Sequence, residues 1–230
     1  MIDFEKFEEK IKIKFNDINL LRMALTHRSY INEHQEENLE HNERLEYLGD
    51  AVLELVTTHH LFEKFPQENE GVLTSYRSAL VNTVSLLKVA ERLEINDFLQ
   101  LSKGEAKDTG RARNFIMANA VEAIIGAVYL DQGYMVAQKF IADNFLYKVD
   151  EVVEKNLWQD AKSNFQEKSQ ELEKVTPNYK VLEEVGPDHD KRFRIGVFLN
   201  NKLIAEGEGV SKQEAEQDAA QKALKVKMWI

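Results

Sequence analysis

The sequence predicts two domains, an all-helical domain followed by a small α+β domain of order α-β-β-β-α. Apolar residues recur at helical spacing through about residues 1–155, whereas those of 193–199 alternate in the manner of a strand. Charge changes near the same place: residues 1–158 hold 18 Lys and Arg against 27 Asp and Glu, and residues 159–230 hold 12 against 13. We therefore expect domains at about 1–155 and 161–230, joined by a linker at about 156–160.

The first domain is predicted to consist of six helices. Their periodic segments cover roughly 3–13, 17–26, 40–64, 72–95, 116–131 and 134–155. The segment from Lys103 to Arg113 is polar and contains two glycines, which predicts a flexible loop between the fourth and fifth periodic segments.

The second domain shows helix, hairpin and helix signals in turn. An amphipathic helix is predicted over roughly 161–174, and Asn200-Asn201 fits a two-residue hairpin turn between strands. Ser211 and Glu214 form a capping-box pattern that opens a final helix. That helix carries a face of alanines suited to close packing on a sheet: Ala215, Ala219, Ala220 and Ala223.

Composition excludes several classes of protein. The chain has no cysteine, which excludes disulfides and thiolate metal sites. The N-terminal residues lack the pattern of a secretory signal, and no uncharged apolar run approaches membrane-spanning length. We therefore expect a cytoplasmic protein with no membrane partner. The net charge of −10 does not favour nucleic-acid binding, so phosphate must be bound by local patches or through metal ions.

Acidic residues recur at helical spacing in two segments. Glu43, Glu46 and Asp50 lie at i, i+3 and i+7 and share one helix face. Glu122 is a lone acid in an apolar helix, with Asn119 one turn earlier. Small residues in both segments would allow close helix packing, so that these oxygen atoms converge as Mg²⁺ ligands. Spacing alone leaves an alternative open, in which Glu43 and Glu46 are solvated surface acids and Glu122 pairs with an arginine.

The residues in these segments resemble bacterial ribonuclease III. The signature helix from Glu43 to Leu53 is preceded by His41-Asn42, and further motifs follow in family order over nearly the whole chain. They include Thr26-His27-Arg28-Ser29, Gly71-Val72-Leu73-Thr74, Ser102-Lys103-Gly104-Glu105 and Val121-Glu122-Ala123. The resemblance implies a homodimeric ribonuclease III catalytic domain that hydrolyses double-stranded RNA to 5′-phosphate and 3′-hydroxyl products, in rRNA and mRNA processing. It also implies Mg²⁺ as cofactor, with Mn²⁺ as a substitute.

The resemblance also assigns roles to individual acids. Glu46, Asp50, Asn119 and Glu122 match metal-site positions, and Asp50 and Glu122 are expected to be catalytic. Glu43 and Glu70 match accessory acids. Asn119 departs from the family pattern, which has Asp there, and the lost negative charge is expected to weaken metal binding.

The second domain resembles a double-stranded RNA-binding domain. Gly186-Pro187-Asp188-His189 and the segment from Gly207 to Gln217 carry the resemblance. It implies RNA contacts from the following residues: Ser163, Gln166, Gln170, His189, Ser211, Lys212 and Gln213. Gln213 replaces the usual second lysine, so we expect weaker and less salt-dependent binding.

Two alternatives to a ribonuclease stay open on the sequence. In the first, the chain binds double-stranded RNA but cleaves it poorly because Asn119 replaces the family Asp. In the second, the chain is a structural subunit of a ribonucleoprotein, although a scaffold has no need of the clustered acids.

Overall fold

The chain divides into two compact units, Met1–Trp158 and Gln159–Ile230, in a computed structural model. The structure describes residues 3–37, 39–107, 109–156, 158, 160–187 and 191–229.

The first unit is all-helical, as predicted. Its described residues form nine α-helices: α1 (Phe4–Ile11), α2 (Ile18–Ala24), α3 (Arg28–Glu33), α4 (Glu43–Lys64), α5 (Glu70–Val81), α6 (Thr83–Arg92), α7 (Arg111–Gln132), α8 (Tyr134–Asn144) and α9 (Val149–Glu154).

Helix α7 forms the centre of the first unit. Twelve of its residues are buried, and α2, α4, α6 and α8 all pack against it. By length and composition alone α7 is apolar enough to cross a membrane, yet 61% of its apolar window is buried inside the protein. Its composition is therefore that of a core helix.

Several helix boundaries differ from the sequence prediction. The predicted helix over 72–95 is two helices, because Asn82 adopts extended backbone and its side chain accepts a hydrogen bond from the Ser85 amide to start α6. Helix α7 starts at Arg111, so the predicted loop over 103–113 is partly helical. The predicted helix over 134–155 is interrupted after Asn144 by a 3-10 turn, and α3 was not predicted.

The second unit has the predicted α-β-β-β-α order. Helix α10 (Ala161–Lys168) continues into a π-helical turn over 169–173, followed by β1 (Asn178–Val185), β2 (Arg192–Leu199), β3 (Lys202–Gly209) and α11 (Lys212–Val226). The sheet is antiparallel in the order β1-β2-β3. Asn200 and Asn201 have φ of 47° and 64°, which matches the predicted two-residue hairpin turn with both central residues in the left-handed region.

One face of this sheet packs against the helices. Ile195, Val197 and Leu199 point inward from β2, and the alanines of α11 are fully buried against the sheet. The polar side chains of α10 and α11 that do not face the sheet lie at the surface of the unit.

Candidate active site and RNA-binding surface

Helices α4 and α7 touch backbone to backbone. A Cβ atom on Gly49 would lie 1.7 Å from the Glu122 carbonyl oxygen, and one on Gly126 would lie 2.2 Å from the Leu45 carbonyl oxygen. No side chain fits in either place, so glycine is required for this approach. The close contact, which the small residues predicted, places the acid-bearing stretches of both helices side by side.

The start of α4 is anchored by Asn42, the residue before the signature helix. Its side chain is 2% exposed and donates to the Ala24 carbonyl oxygen, while its backbone amide donates to the Thr26 carbonyl oxygen at 2.9 Å. Asn42 therefore fixes the first turn of α4 on the end of α2. This anchor limits where Glu43 and Glu46 can lie.

The four proposed metal-site residues meet across the α4–α7 contact. Glu46 and Asn119 are half-buried and joined by a hydrogen bond from the Asn119 amide, and Glu122 is also half-buried. Asp50 is exposed, one turn beyond Glu46. The structure therefore brings these residues together from opposite helices.

Burial, followed by the charges of neighbouring acids, raises the pKa of the three carboxyls in this cluster. Burial, followed by the charges of Asp50 and Glu46, raises the pKa of Glu122 to about 8. Burial also raises the pKa of Glu46, assisted by Glu43 and Asp50 and opposed by the Asn119 hydrogen bond. Without a cation, Glu122 is mostly protonated at neutral pH.

A further acid lies beside the cluster and was not identified from the sequence. Glu54 follows Asp50 by one helical turn. Burial is the larger cause that raises the pKa of Asp50, and the negative charge of Glu54 is the second. The i, i+4 spacing of Asp50 and Glu54 is visible in the sequence and could have identified it.

The two accessory acids have different surroundings. Glu43 is exposed and forms an ion pair with Arg28 at 3.0 Å, and His41 Nδ1 lies 3.7 Å from its carboxylate. Glu70 is exposed at the first position of α5, where Asn69 caps the helix. In the described part of the chain no hydrogen bond or ion pair joins Glu70 to the α4–α7 cluster.

The donor set fits a hard divalent cation. It consists of carboxylate and amide oxygens, and a cation would relieve the repulsion that raises the pKa values of these carboxyls. Over the described residues, no three acidic or histidine side chains already converge into a complete metal-binding group. Water or substrate would therefore have to supply part of the coordination, as Mg²⁺ allows.

The RNA-binding residues predicted on the first helix of the second unit are all exposed. Ser163 and Gln166 lie on α10, and Gln170 lies on the π-helical turn that follows. The Asp160 carboxylate caps α10 by accepting a hydrogen bond from the Ser163 amide at 2.7 Å. The hydroxyl of Ser163 and both glutamine amides thus lie at the surface.

The remaining predicted contacts lie at the start of α11. The Ser211 hydroxyl accepts from the Glu214 amide at 3.2 Å, as the capping box predicted, and the Glu214 carboxylate accepts from the Val210 amide at 3.0 Å. Lys212 and Gln213 are exposed, and the Lys212 ammonium lies 5.7 Å from the centroid of the Phe193 ring. His189 lies outside the described residues.

Comparisons with known proteins agree with this two-domain architecture. A family model described as ribonuclease-III-like matches residues 17–149, and one described as a double-stranded RNA binding motif matches residues 161–227. Ribonuclease 3 of Carboxydothermus hydrogenoformans is 48% identical over 95% of this chain and 93% of its own length. Ribonuclease 3 of Enterococcus faecalis is 44% identical over 96% of this chain and 95% of its own length.

A solved structure matches the first unit. It is the nuclease domain of ribonuclease III from Campylobacter jejuni, studied for a flexible region involved in dimer formation. It is 41% identical, with a TM-score of 0.56, and the match covers 63% of this chain and 99% of that one. With the two matched domains in this order and relatives this similar over nearly full length, the chain belongs to the ribonuclease III family.

Proposed function

We propose that Glu46, Asp50, Asn119 and Glu122 form the metal site at which this chain, an endonuclease of double-stranded RNA, hydrolyses its substrate. The observation that carries the proposal is the meeting of these four residues across the glycine contact of α4 and α7. Mg²⁺ is the proposed ion, with Mn²⁺ as a substitute, because every donor is an oxygen atom. Asp50 and Glu122 are the proposed catalytic acids, and Glu43 and Glu70 support the site.

Each residue has a distinct part in this proposal. The Asn119 amide holds the Glu46 carboxylate in place through its hydrogen bond, and Asp50 offers an exposed carboxylate to solvent and substrate. Glu122 must lose its proton before both of its oxygens can bind a cation, since its pKa is raised to about 8. A divalent cation bound here would lower the pKa of a water molecule and stabilise the leaving oxygen of a phosphodiester.

The second unit supplies binding to the RNA duplex. The exposed hydroxyl and amide groups of Ser163, Gln166 and Gln170 suit the 2′-hydroxyls of a minor groove, because A-form RNA is recognised mainly by shape, 2′-hydroxyls and phosphates. Ser211, Lys212 and Gln213 stand at a helix N-terminus, where amides and positive charge favour phosphate. His189 is proposed to contact a second groove.

The proposal also covers assembly, products and location. The partners are double-stranded RNA and a second copy of the chain in a homodimer. The products are 5′-phosphate and 3′-hydroxyl ends, formed in rRNA and mRNA processing in the cytoplasm. A scaffold role is not favoured, since a scaffold has no need of neighbouring carboxyls whose burial and repulsion raise their pKa values.

The test is cleavage of a long RNA duplex across a Mg²⁺ titration, by the full chain and by Glu122→Gln. We expect Mg²⁺-dependent cleavage by the parent chain and a severe loss of cleavage in the variant, while both bind the duplex equally in a gel shift with EDTA. Cleavage by Glu122→Gln at the parent rate, or parent cleavage that persists in EDTA, would contradict the proposed metal site.

A further inference from the structure

A cleft of about 820 Å³ opens between the end of α1, the end of α6, and α8. Its residues are separate from the acidic site on α4 and α7 and from every proposed RNA contact. Its floor is aliphatic and aromatic, formed by Ile11, Ile13, Leu93, Val136 and Phe140. Clefts of this size and apolar lining are typical of binding sites.

Cations outnumber acids on the rim of the cleft. Lys10, Lys12, Arg92 and Lys139 line it, together with one acid, Asp143. Lys10 pairs with Glu94, and Lys139 pairs with Asp143 at 2.8 Å. Lys12 and Arg92 form no ion pair within the described part of the chain, although this unit carries a net charge of −9.

Arg92 is held in place by neutral partners. Its guanidinium donates to Asn144 Oδ1 at 2.6 Å and to the Tyr147 hydroxyl at 3.3 Å, and it lies 5.5 Å from the Tyr147 ring centroid. These contacts fix its orientation and leave its charge uncompensated. Tyr147 is 65% exposed, so an aromatic face is also presented at the rim.

Two more cations extend the charge beyond Arg92. The Lys148 ammonium donates a hydrogen bond to the Ser85 hydroxyl at 3.0 Å. Lys88 lies on the same face of α6 as Arg92, one helical turn before it. Burial, then the charges of Lys88 and Arg92, lower the pKa of Lys148, while Glu151 acts in the opposite direction. Glu151 itself pairs with Lys155 at 2.7 Å. The positive field here is therefore only partly neutralised.

We propose that this cleft binds an acidic peptide segment of a partner protein, anchored by an apolar side chain. The uncompensated cations on the rim complement acidic side chains, and the apolar floor takes the anchor. An RNA duplex fits poorly, because a rigid convex helix presents phosphates rather than apolar groups to a concave floor. Single-stranded RNA, whose bases can stack on an aromatic ring, is the competing occupant.

The test uses three fluorescein-labelled octapeptides and the full chain. The first has the sequence Asp-Glu-Leu-Asp-Glu-Phe-Glu-Asp, the second replaces its acids by lysine, and the third replaces Leu and Phe by serine. We expect the first to bind most tightly in fluorescence anisotropy at low salt, and its affinity to fall as salt is added. The double variant Lys12→Gln and Arg92→Gln should weaken its binding about tenfold, as loss of two charge-assisted contacts would.

A matched control removes the same charge elsewhere in the unit. Lys103→Gln with Lys107→Gln, two exposed lysines outside the cleft, should leave peptide affinity unchanged. Val136→Asp should abolish binding by placing a charge on the floor, and an unchanged melting temperature and duplex cleavage rate would show that each variant is folded.

The proposal is overturned if the first peptide binds no tighter than the other two, or if the cleft variant and the control variant bind it equally. It is also overturned if a single-stranded 12-nucleotide oligoadenylate binds more tightly than the peptide and loses that affinity in the cleft variant. That result would make the cleft an RNA contact.

Discussion

Both units of this protein rely on glycine for close packing, but the close contact has a different consequence in each unit. In the first unit, Gly49 and Gly126 let α4 and α7 touch and bring half-buried acids together. In the second, a Cβ on Gly207 would lie 2.1 Å from the Ala219 amide nitrogen, so glycine lets α11 lie close on β3. There the described side chains that are proposed to bind RNA are mostly exposed to solvent.

The difference lies in burial and its electrostatic cost. The acids at the α4–α7 contact have raised pKa values because each is partly removed from water beside like charges. For the described residues that are proposed to bind RNA, which are polar or singly cationic and mostly exposed, no comparable cost arises. The proposed metal site thus carries an electrostatic cost that a bound cation would relieve, whereas the proposed RNA-binding residues carry no such cost.

The largest expected effect comes from Glu122, because it is the acid with the most raised pKa in the cluster. Glu122→Gln should lower the cleavage rate about a thousandfold or more, since it removes a proposed metal ligand and not merely a residue that orients one. Single-turnover cleavage at saturating duplex measures this fall in rate. Glu70→Gln is the comparison for an acid outside the cluster, and we expect a smaller loss of cleavage rate in that variant. Equal losses in both variants would contradict the proposed hierarchy.

The glycine contacts should fail on addition of one methyl group. Gly49→Ala should destabilise the chain by about 3 kcal/mol, because its Cβ meets a backbone carbonyl that cannot move aside. Gly207→Ala should cost a similar amount, but only Gly49→Ala should lower cleavage at saturating RNA. Thermal unfolding measures the loss of stability in both variants. Gly104→Ala, whose Cβ would meet only Ser102 Oγ at 3.8 Å, is the control and should be near neutral.

The pH dependence of stability should show the cost of burying Glu122. Its folded pKa of about 8 lies above its ordinary 4.5, so the stabilisation from the neutral carboxyl is complete below pH 4.5 and lost as pH rises through 8. Glu122→Gln stays neutral, so its stability relative to the parent chain should rise over this range by about 2–3 kcal/mol, which is the full linkage value of about 4–5 kcal/mol discounted for the partial exposure of the carboxyl. Urea unfolding of both chains at pH 5 and pH 8.5, without metal, measures this difference in stability. A difference that does not change with pH would show that Glu122 is not buried among charges.

Asn119 offers a way to increase the strain of the acidic site and its demand for metal together. Asn119→Asp removes the hydrogen bond to Glu46 and adds a fourth carboxyl group to the cluster. We expect Mg²⁺ to bind about tenfold more tightly in calorimetry and the metal-free chain to be less stable. The Mg²⁺ concentration needed for half-maximal cleavage should fall. Equal Mg²⁺ affinity in both chains would exclude a metal-site role for this position.

The smallest effects are expected on the exposed RNA surface. Lys212→Gln should weaken duplex binding only a few-fold and lower the salt slope by about one, as removal of one phosphate contact does. Gln213→Lys should strengthen duplex binding and raise the salt slope. Lys222→Gln, on the same helix but paired with Asp218 at 2.7 Å, is the matched control. A salt slope that is unchanged by Lys212→Gln would remove this helix start from the RNA-binding surface.

Sequence pattern predicted local structure best where one signal was strong. The Asn200-Asn201 turn and the Ser211–Glu214 capping box depend on neighbouring residues alone, and the structure contains both. The split of the predicted helix over 72–95 was missed, because the apolar period continues across Asn82 while its side chain caps a new helix. The start of α7 at Arg111 was missed because its first turn is polar.

The sequence by itself determined the two-domain order, the helical positions of the acids and the family. It could place Glu46 and Asp50 on one face, but it could not show what lies opposite them. Only the tertiary structure decided that Gly49 meets the Glu122 backbone, that Asn119 bonds Glu46, and that Glu122 is half-buried. The physical reason is that spacing along a helix is local, whereas desolvation and charge repulsion depend on the second helix, more than 60 residues further along the chain.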